Sequence, residues 1–211
     1  MNEPDPPLLS ALTTEHFVLQ SAINATVSEA AARSSLYMTA LSSSLVAVGF
    51  LAQSSDALMP FLAVVLPTLF VLGLFTIIRL IDTALENQQY LAGIARIHRQ
   101  YRALSPAAAE AFAAHLQRWP EADTAPSLVL GRFMALRGTS ATMIACTNNL
   151  VAAAGVTLLL VQVSALQRTP AVLVGLLVFA ALSAAFYAFE RWRFDHLRPA
   201  LGPIGPVQSH G

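Results

Sequence analysis

Charged side chains are missing from four stretches of this chain, Ser34 to Ser55, Ala57 to Ile78, Gly138 to Gln167 and Thr169 to Phe189. Each holds the ~20 mostly apolar residues that one helical crossing of a bilayer core requires. They fall in two close pairs, each joined by a short connection. The pattern predicts an all-α fold: an integral membrane helical bundle with four transmembrane helices in two hairpins, at 34–55, 57–78, 138–167 and 169–189.

The flanking segments have helical periodicity of their own. Residues 1–12 hold two carboxylates and three prolines where a secretory signal would place a basic start and a short apolar core. They are expected to be disordered, and the first span to be retained. Thr13 is placed to cap a cytosolic amphipathic helix over 13–33, starting near Thr14 and passing through Phe17, Ile23 and Val27. No Pro or Gly interrupts it before Gly49, so it continues into the first span. His16, Gln20, Asn24 and Ser28 recur every fourth residue along it as a solvated stripe.

Residues 79–137 read as a cytosolic helical segment. After the second span, Ile77, Leu80, Ala84, Leu91, Ile94 and Tyr101 keep a three-four repeat. The helix therefore extends about 30 Å further, some twenty residues at about 1.5 Å each. Ser105 followed by Pro106 marks the next helix start, since Pro at the first helical position gives up a donor that would be unpaired anyway. That helix buries Phe112, Leu116 and Trp119 and stops at Pro120; a linker to Ser127 and a further amphipathic helix lead to the third span. A segment of this size buries little core by itself. Leu91, Ile94, Tyr101, Phe112, Leu116 and Trp119 are accordingly candidate contacts with a second copy or a partner. The tail, 190–211, is disordered after about 199.

Charge placement sets the orientation. Of the twelve basic residues, all arginine, Arg168 alone lies in the two hairpin connections; Arg33, seven arginines from Arg79 to Arg137, and Arg191, Arg193 and Arg198 lie in the other segments. Cytoplasmic flanks carry the positive excess, so both termini and the 79–137 segment are expected in the cytoplasm. Arginine in place of lysine, with heavy alanine use, suits a GC-rich bacterial genome and hence a bacterial cytoplasmic membrane. With 55% hydrophobic and 11% charged residues, the composition is that of a chain whose main solvent is lipid.

Small and polar residues recur on one side of two spans: Ser35, Thr39, Ser42 and Gly49 in the first, and Ala145, Asn148, Ala152 and Gly155 in the third. Such rows let helices approach closely in lipid, where dispersion and interhelical hydrogen bonds drive association. The first and third spans are expected to pack along them. Asn148 and Asn149 are the most polar side chains within the spans, candidates for helix packing or for lining a pore. Pro67 predicts a kink near Leu66.

The chemistry a sequence can advertise is missing. The five histidines stand at no metal-ligand spacing, the lone Cys146 excludes an intramolecular disulfide, and no phosphate loop or nucleophile elbow occurs. Asp82 and Glu86, one turn apart beside Arg79, suit an ion-paired face. No Asp, Glu, Lys, Arg or His lies within the four spans, which disfavours an ion-coupled carrier. Acidic residues among the arginines dilute the field, so nucleic acid is not an expected partner.

The run Thr13-Thr14-Glu15-His16-Phe17, the Glu29 to Arg33 approach to a serine-rich first span, and the two-plus-two layout resemble uncharacterised bacterial four-span membrane proteins. That group carries no assigned activity, so the resemblance implies architecture alone. The functional expectation is a non-enzymatic membrane protein without cofactor or metal, a homo-oligomer that presents its cytosolic helices to a partner or to lipid. The alternative is an oligomeric pore or transporter lined by Thr147, Asn148 and Asn149.

Overall fold

The computed structural model describes residues 6–53, 55–111, 140–163 and 167–197. These are 97% helical, with no strand among them. The elements are α1 (Pro6–Leu51), α2 (Ser55–Leu104), α3 (Pro106–Ala111), α4 (Ser140–Val163) and α5 (Arg168–Leu197). Four of them, α1, α2, α4 and α5, are long and apolar enough to cross a membrane.

Local chemistry explains most helix limits. α1 is already helical at Pro6, the first described residue, and not only from near Thr14. Residues 6–12 are therefore helical, and Thr13 is no cap: its hydroxyl bonds back to the Leu9 carbonyl at 2.9 Å. From there α1 runs unbroken into the first apolar stretch. α2 carries Asp56 in its first turn, which complements the helix dipole, and continues through both Pro60 and Pro67 to Leu104. It stops there because the residue before a proline disfavours the helical region, and Ser105 precedes Pro106. Ser105 then caps α3, its hydroxyl accepting from the Ala108 amide at 3.0 Å.

The chain forms two compact units. Unit 1 comprises residues 1–28, 83–135 and 194–211; unit 2 comprises 29–82 and 136–193. In unit 1, the start of α1 packs on the end of α2. Leu12 and Thr26 on one side, and Leu85, Ala92, Ile94, Ala95, Ile97 and His98 on the other, are buried. Gly93 lets the helices close, for a Cβ there would meet the Leu19 side chain at 2.9 Å. The Tyr101 and Thr13 hydroxyls share a 3.2 Å hydrogen bond.

In unit 2, Tyr37, Leu41, Leu69, Ile77, Leu80, Ile81, Ile144, Ala145 and Ala171 form the interior. The outer surface is apolar as well: Leu36, Leu45, Phe50, Val64, Phe75, Leu150, Leu159, Leu176 and Leu177 are all exposed. An apolar exterior of this extent marks a surface that meets something other than water. Four apolar helices and this exterior fit a multi-pass membrane protein.

Candidate functional site

Polar side chains inside unit 2 converge on Asn148. The residue is 1% exposed, in the middle of α4. Tyr37, completely buried on α1, donates its phenolic O–H to Asn148 Oδ1 at 3.2 Å. Asn148 Nδ2 in turn donates to the Phe70 backbone carbonyl of α2 at 3.2 Å. One amide thus joins three helices. Gly73 makes room for it, since a Cβ at that position would overlap the Asn148 amide.

A second set of contacts fastens α4 to α5. Asn149 Nδ2 donates to Ser183 Oγ at 3.2 Å. Further along, the Thr157 hydroxyl lies 2.9 Å from the Ala153 carbonyl of its own helix and 3.5 Å from the Ala171 carbonyl of α5. Gly175 admits that hydroxyl, because a Cβ there would collide with it. Four other hydroxyls, those of Ser44, Thr68, Thr76 and Thr147, each donate to the carbonyl four residues earlier, whereas Ser34 Oγ is enclosed without a hydrogen-bond partner among the described residues.

At its charged end, unit 2 carries ion pairs. Glu29 accepts from Arg33 Nε at 2.9 Å and from Arg79 at both oxygens, at 2.8 and 3.2 Å. The two-pronged Arg79 contact, and secondarily Arg33, holds the Glu29 carboxyl at about 2, well below the usual carboxylate range. Asp82 on α2 pairs with Arg193 on α5.

Unit 1 holds a further polar contact between helices. The His16 and His98 rings face each other with centroids 5.4 Å apart. His98 is buried, and His16 Nδ1 is enclosed without a hydrogen-bond partner among the described residues. Burial, then the neighbouring His16 and Arg102, push the His98 imidazole below its ordinary range.

The residues singled out from sequence fall into distinct places. Asn148 and Asn149 are buried, and Ala152 and Gly155 are half-buried on the same helix. Ser35, Thr39, Ser42 and Gly49 all lie on the exposed side of α1, and a Cβ on Gly49 would meet nothing within 4 Å. The contact between the first and third spans is therefore made by Tyr37, not along the small-residue row. A buried phenol with an amide partner contributes both area and a directed bond, which a row of serines lacks. Ile94 is buried and Leu91 and Tyr101 half-buried within unit 1. Phe112, Leu116 and Trp119 lie outside the described residues.

Sequence reasoning passed over Tyr37, Gly73 and Gly175. An aromatic in the apolar stretch one helix turn from its charged flank was the available signal for Tyr37. For the glycines no local signal existed, because their partners lie about 75 and 20 residues away. Among the described residues no three His, Cys, Asp or Glu side chains gather as a metal site, and Cys146 is exposed. Amides and hydroxyls bonded to one another hold helices in register; they exchange no proton near neutral pH. Comparison with family models, with curated proteins and with solved structures gives no match to this chain.

Proposed function

We propose that this chain is a non-enzymatic, multi-pass protein of a bacterial cytoplasmic membrane. It self-associates within the bilayer and presents the helices of unit 1 to a partner or to lipid on the cytoplasmic side. The observation that carries this reading is the engagement of Asn148 and Asn149. Both amides that could line a path are already bonded between helices of one chain, whereas Ser35, Thr39, Ser42 and Gly49 face outward. A row of small residues on an outward face favours a second helix over lipid tails, because backbones can approach there. Arginine placement supports cytoplasmic termini: eleven of the twelve lie outside the two hairpin connections.

Mass photometry of the detergent-purified chain tests the reading. A discrete oligomer is expected, shifting to a smaller particle when Ser35, Thr39 and Ser42 are together replaced by leucine. A strictly monomeric particle would refute self-association. The pore alternative requires Asn148 and Asn149 to exchange their present partners for water. It is tested by ion flux into liposomes, with Asn148→Leu as control, and the expected result is no flux above protein-free vesicles.

A further inference from the structure

Two imidazoles from separate helices meet in unit 1, His16 of α1 and His98 of α2. His98 is 6% exposed and His16 half-buried. Their ring centroids lie 5.4 Å apart with the planes inclined at 36°, neither stacked face to face nor edge-on. One turn along each helix, Thr13 and Tyr101 share a 3.2 Å hydrogen bond, which holds the helices at the separation that brings the rings together. His16 Nδ1 is enclosed, and among the described residues it has no hydrogen-bond partner. A nitrogen withdrawn from water in this way is costly, which is why enclosed polar atoms are paired with few exceptions.

The separation suits a shared ion. A zinc-like ion stands about 2.0–2.1 Å from an imidazole nitrogen, hence about 3.2 Å from the ring centroid, and a tetrahedral angle between two such ligands sets the centroids about 5.2 Å apart. The observed 5.4 Å is close to that figure. Donor chemistry narrows the class. Neutral imidazole suits zinc, copper and nickel, whereas calcium and magnesium take oxygen ligands. No third His, Cys, Asp or Glu joins the pair among the described residues, and Arg102 lies nearby, so a hard cation finds no anionic ligand there.

We propose that His16 and His98 form a two-imidazole site for a divalent transition-metal ion of the zinc, copper and nickel class, which clips the start of α1 to the end of α2. Water on the exposed side of His16 fills the remaining positions of the ion. The site takes a ligand that the scaffold reading does not require, and it stands whether or not the chain self-associates. Its consequence is that metal supply sets how firmly the paired helices of unit 1 are fastened.

Calorimetric titration of the full, untagged chain in lipid nanodiscs with zinc tests this. A saturable site is expected, and His16→Gln and His98→Gln should each weaken it at least about tenfold, because a second ligand on one scaffold acts at high effective concentration. His196→Gln, at an exposed position of α5, should leave it unchanged, and magnesium should give no binding heat. Electron paramagnetic resonance with copper counts the ligands directly: nitrogen couplings from two imidazoles in the wild type, from one in either glutamine variant. Hydrogen exchange supplies a third readout, since zinc should slow exchange in residues 12–26 and 90–101 of the wild type and not in 140–160. Equal zinc affinity in the wild type and both glutamine variants would overturn the proposal. So would a wild-type copper spectrum with fewer than two imidazoles, and that spectrum decides alone should a variant lose helix content by circular dichroism.

Discussion

Units 1 and 2 close their helices with different chemistry. In unit 2 the ties along the apolar stretches are neutral amides and hydroxyls, Tyr37 to Asn148, Asn148 to the Phe70 carbonyl and Asn149 to Ser183, with the ion pairs of Glu29 and Asp82 at the charged end. In unit 1 an apolar face does the work, with a tilted imidazole pair and one hydroxyl contact beside it. The difference follows from the surroundings each segment suits. Where the exterior is apolar, burying more apolar area gives little advantage, so directed bonds and close approach decide which helices meet. Where the flanks are charged and water is available, apolar burial regains its usual strength of about 25 cal/mol per Å². Unit 2 should therefore be sensitive to shape, and unit 1 to protonation.

The largest expected effect contrasts two glycines. Gly73→Ala forces a methyl into the Asn148 amide and should cost about 1–3 kcal/mol, as overpacking does. Gly93→Ala meets only the flexible end of Leu19, and the gain in helix propensity, up to about 1 kcal/mol, offsets that contact. Thermal unfolding in detergent, monitored by tryptophan fluorescence, should show a clear drop for the first and little change for the second. Equal drops would erase the distinction between the units.

Next comes Asn148→Leu, which removes both interhelical bonds and leaves the Tyr37 hydroxyl without its acceptor. At about 0.6 kcal/mol per bond, and up to about 1.7, a loss on the order of 1–2 kcal/mol is expected. Unfolding in mixed micelles measures it.

Acid should act on unit 1. Because His98 is held below the ordinary imidazole value of 6.5, the unfolded chain binds more protons than the folded one between the two values. Stability from this residue is present above 6.5 and is lost as pH falls through the lower, folded value. Protonated His98 would face His16 on α1 and Arg102 on α2, so no carboxylate compensates it among the groups that set its titration. Hydrogen exchange should accelerate in residues 12–26 and 90–101 on acidification, and His98→Gln should flatten that dependence. Acceleration of equal size in residues 140–160 would break the comparison.

The smallest effect belongs to Glu29. Its depressed carboxyl contributes stability above the unfolded value of 4.5 that is lost as pH falls toward about 2. Both partners are substantially solvated, so Arg79→Gln should lower the melting temperature slightly, and added salt should shrink the difference.

Much of this architecture was written locally. A charge-free run declares a helix, and so the four long helices, the unbroken passage of α1 into the first stretch, the extension of α2 and the Ser105 start of α3 were all legible. The placement of Thr13 was not: the helix already includes residues 6–12, and the Thr13 hydroxyl bonds back to the Leu9 carbonyl instead of capping. Helix pairing was legible only in part. Asn148 declared itself by being polar among apolar neighbours, but its partners, Tyr37 and the carbonyl of Phe70, are distant in sequence. The row Ser35, Thr39, Ser42 and Gly49 has a helical period, which places residues on one side without saying which side faces inward.

One double-mutant cycle bears most directly on the account, which makes Asn148 a tie between helices and not the lining of a path. Tyr37→Phe, Asn148→Leu and the double variant would be compared by reversible unfolding in bicelles. A coupling on the order of 0.6 kcal/mol or more between the two sites is the expected result. Additive losses with no coupling would mean that the Tyr37 hydroxyl and the Asn148 amide do not hold each other, and the account would be contradicted.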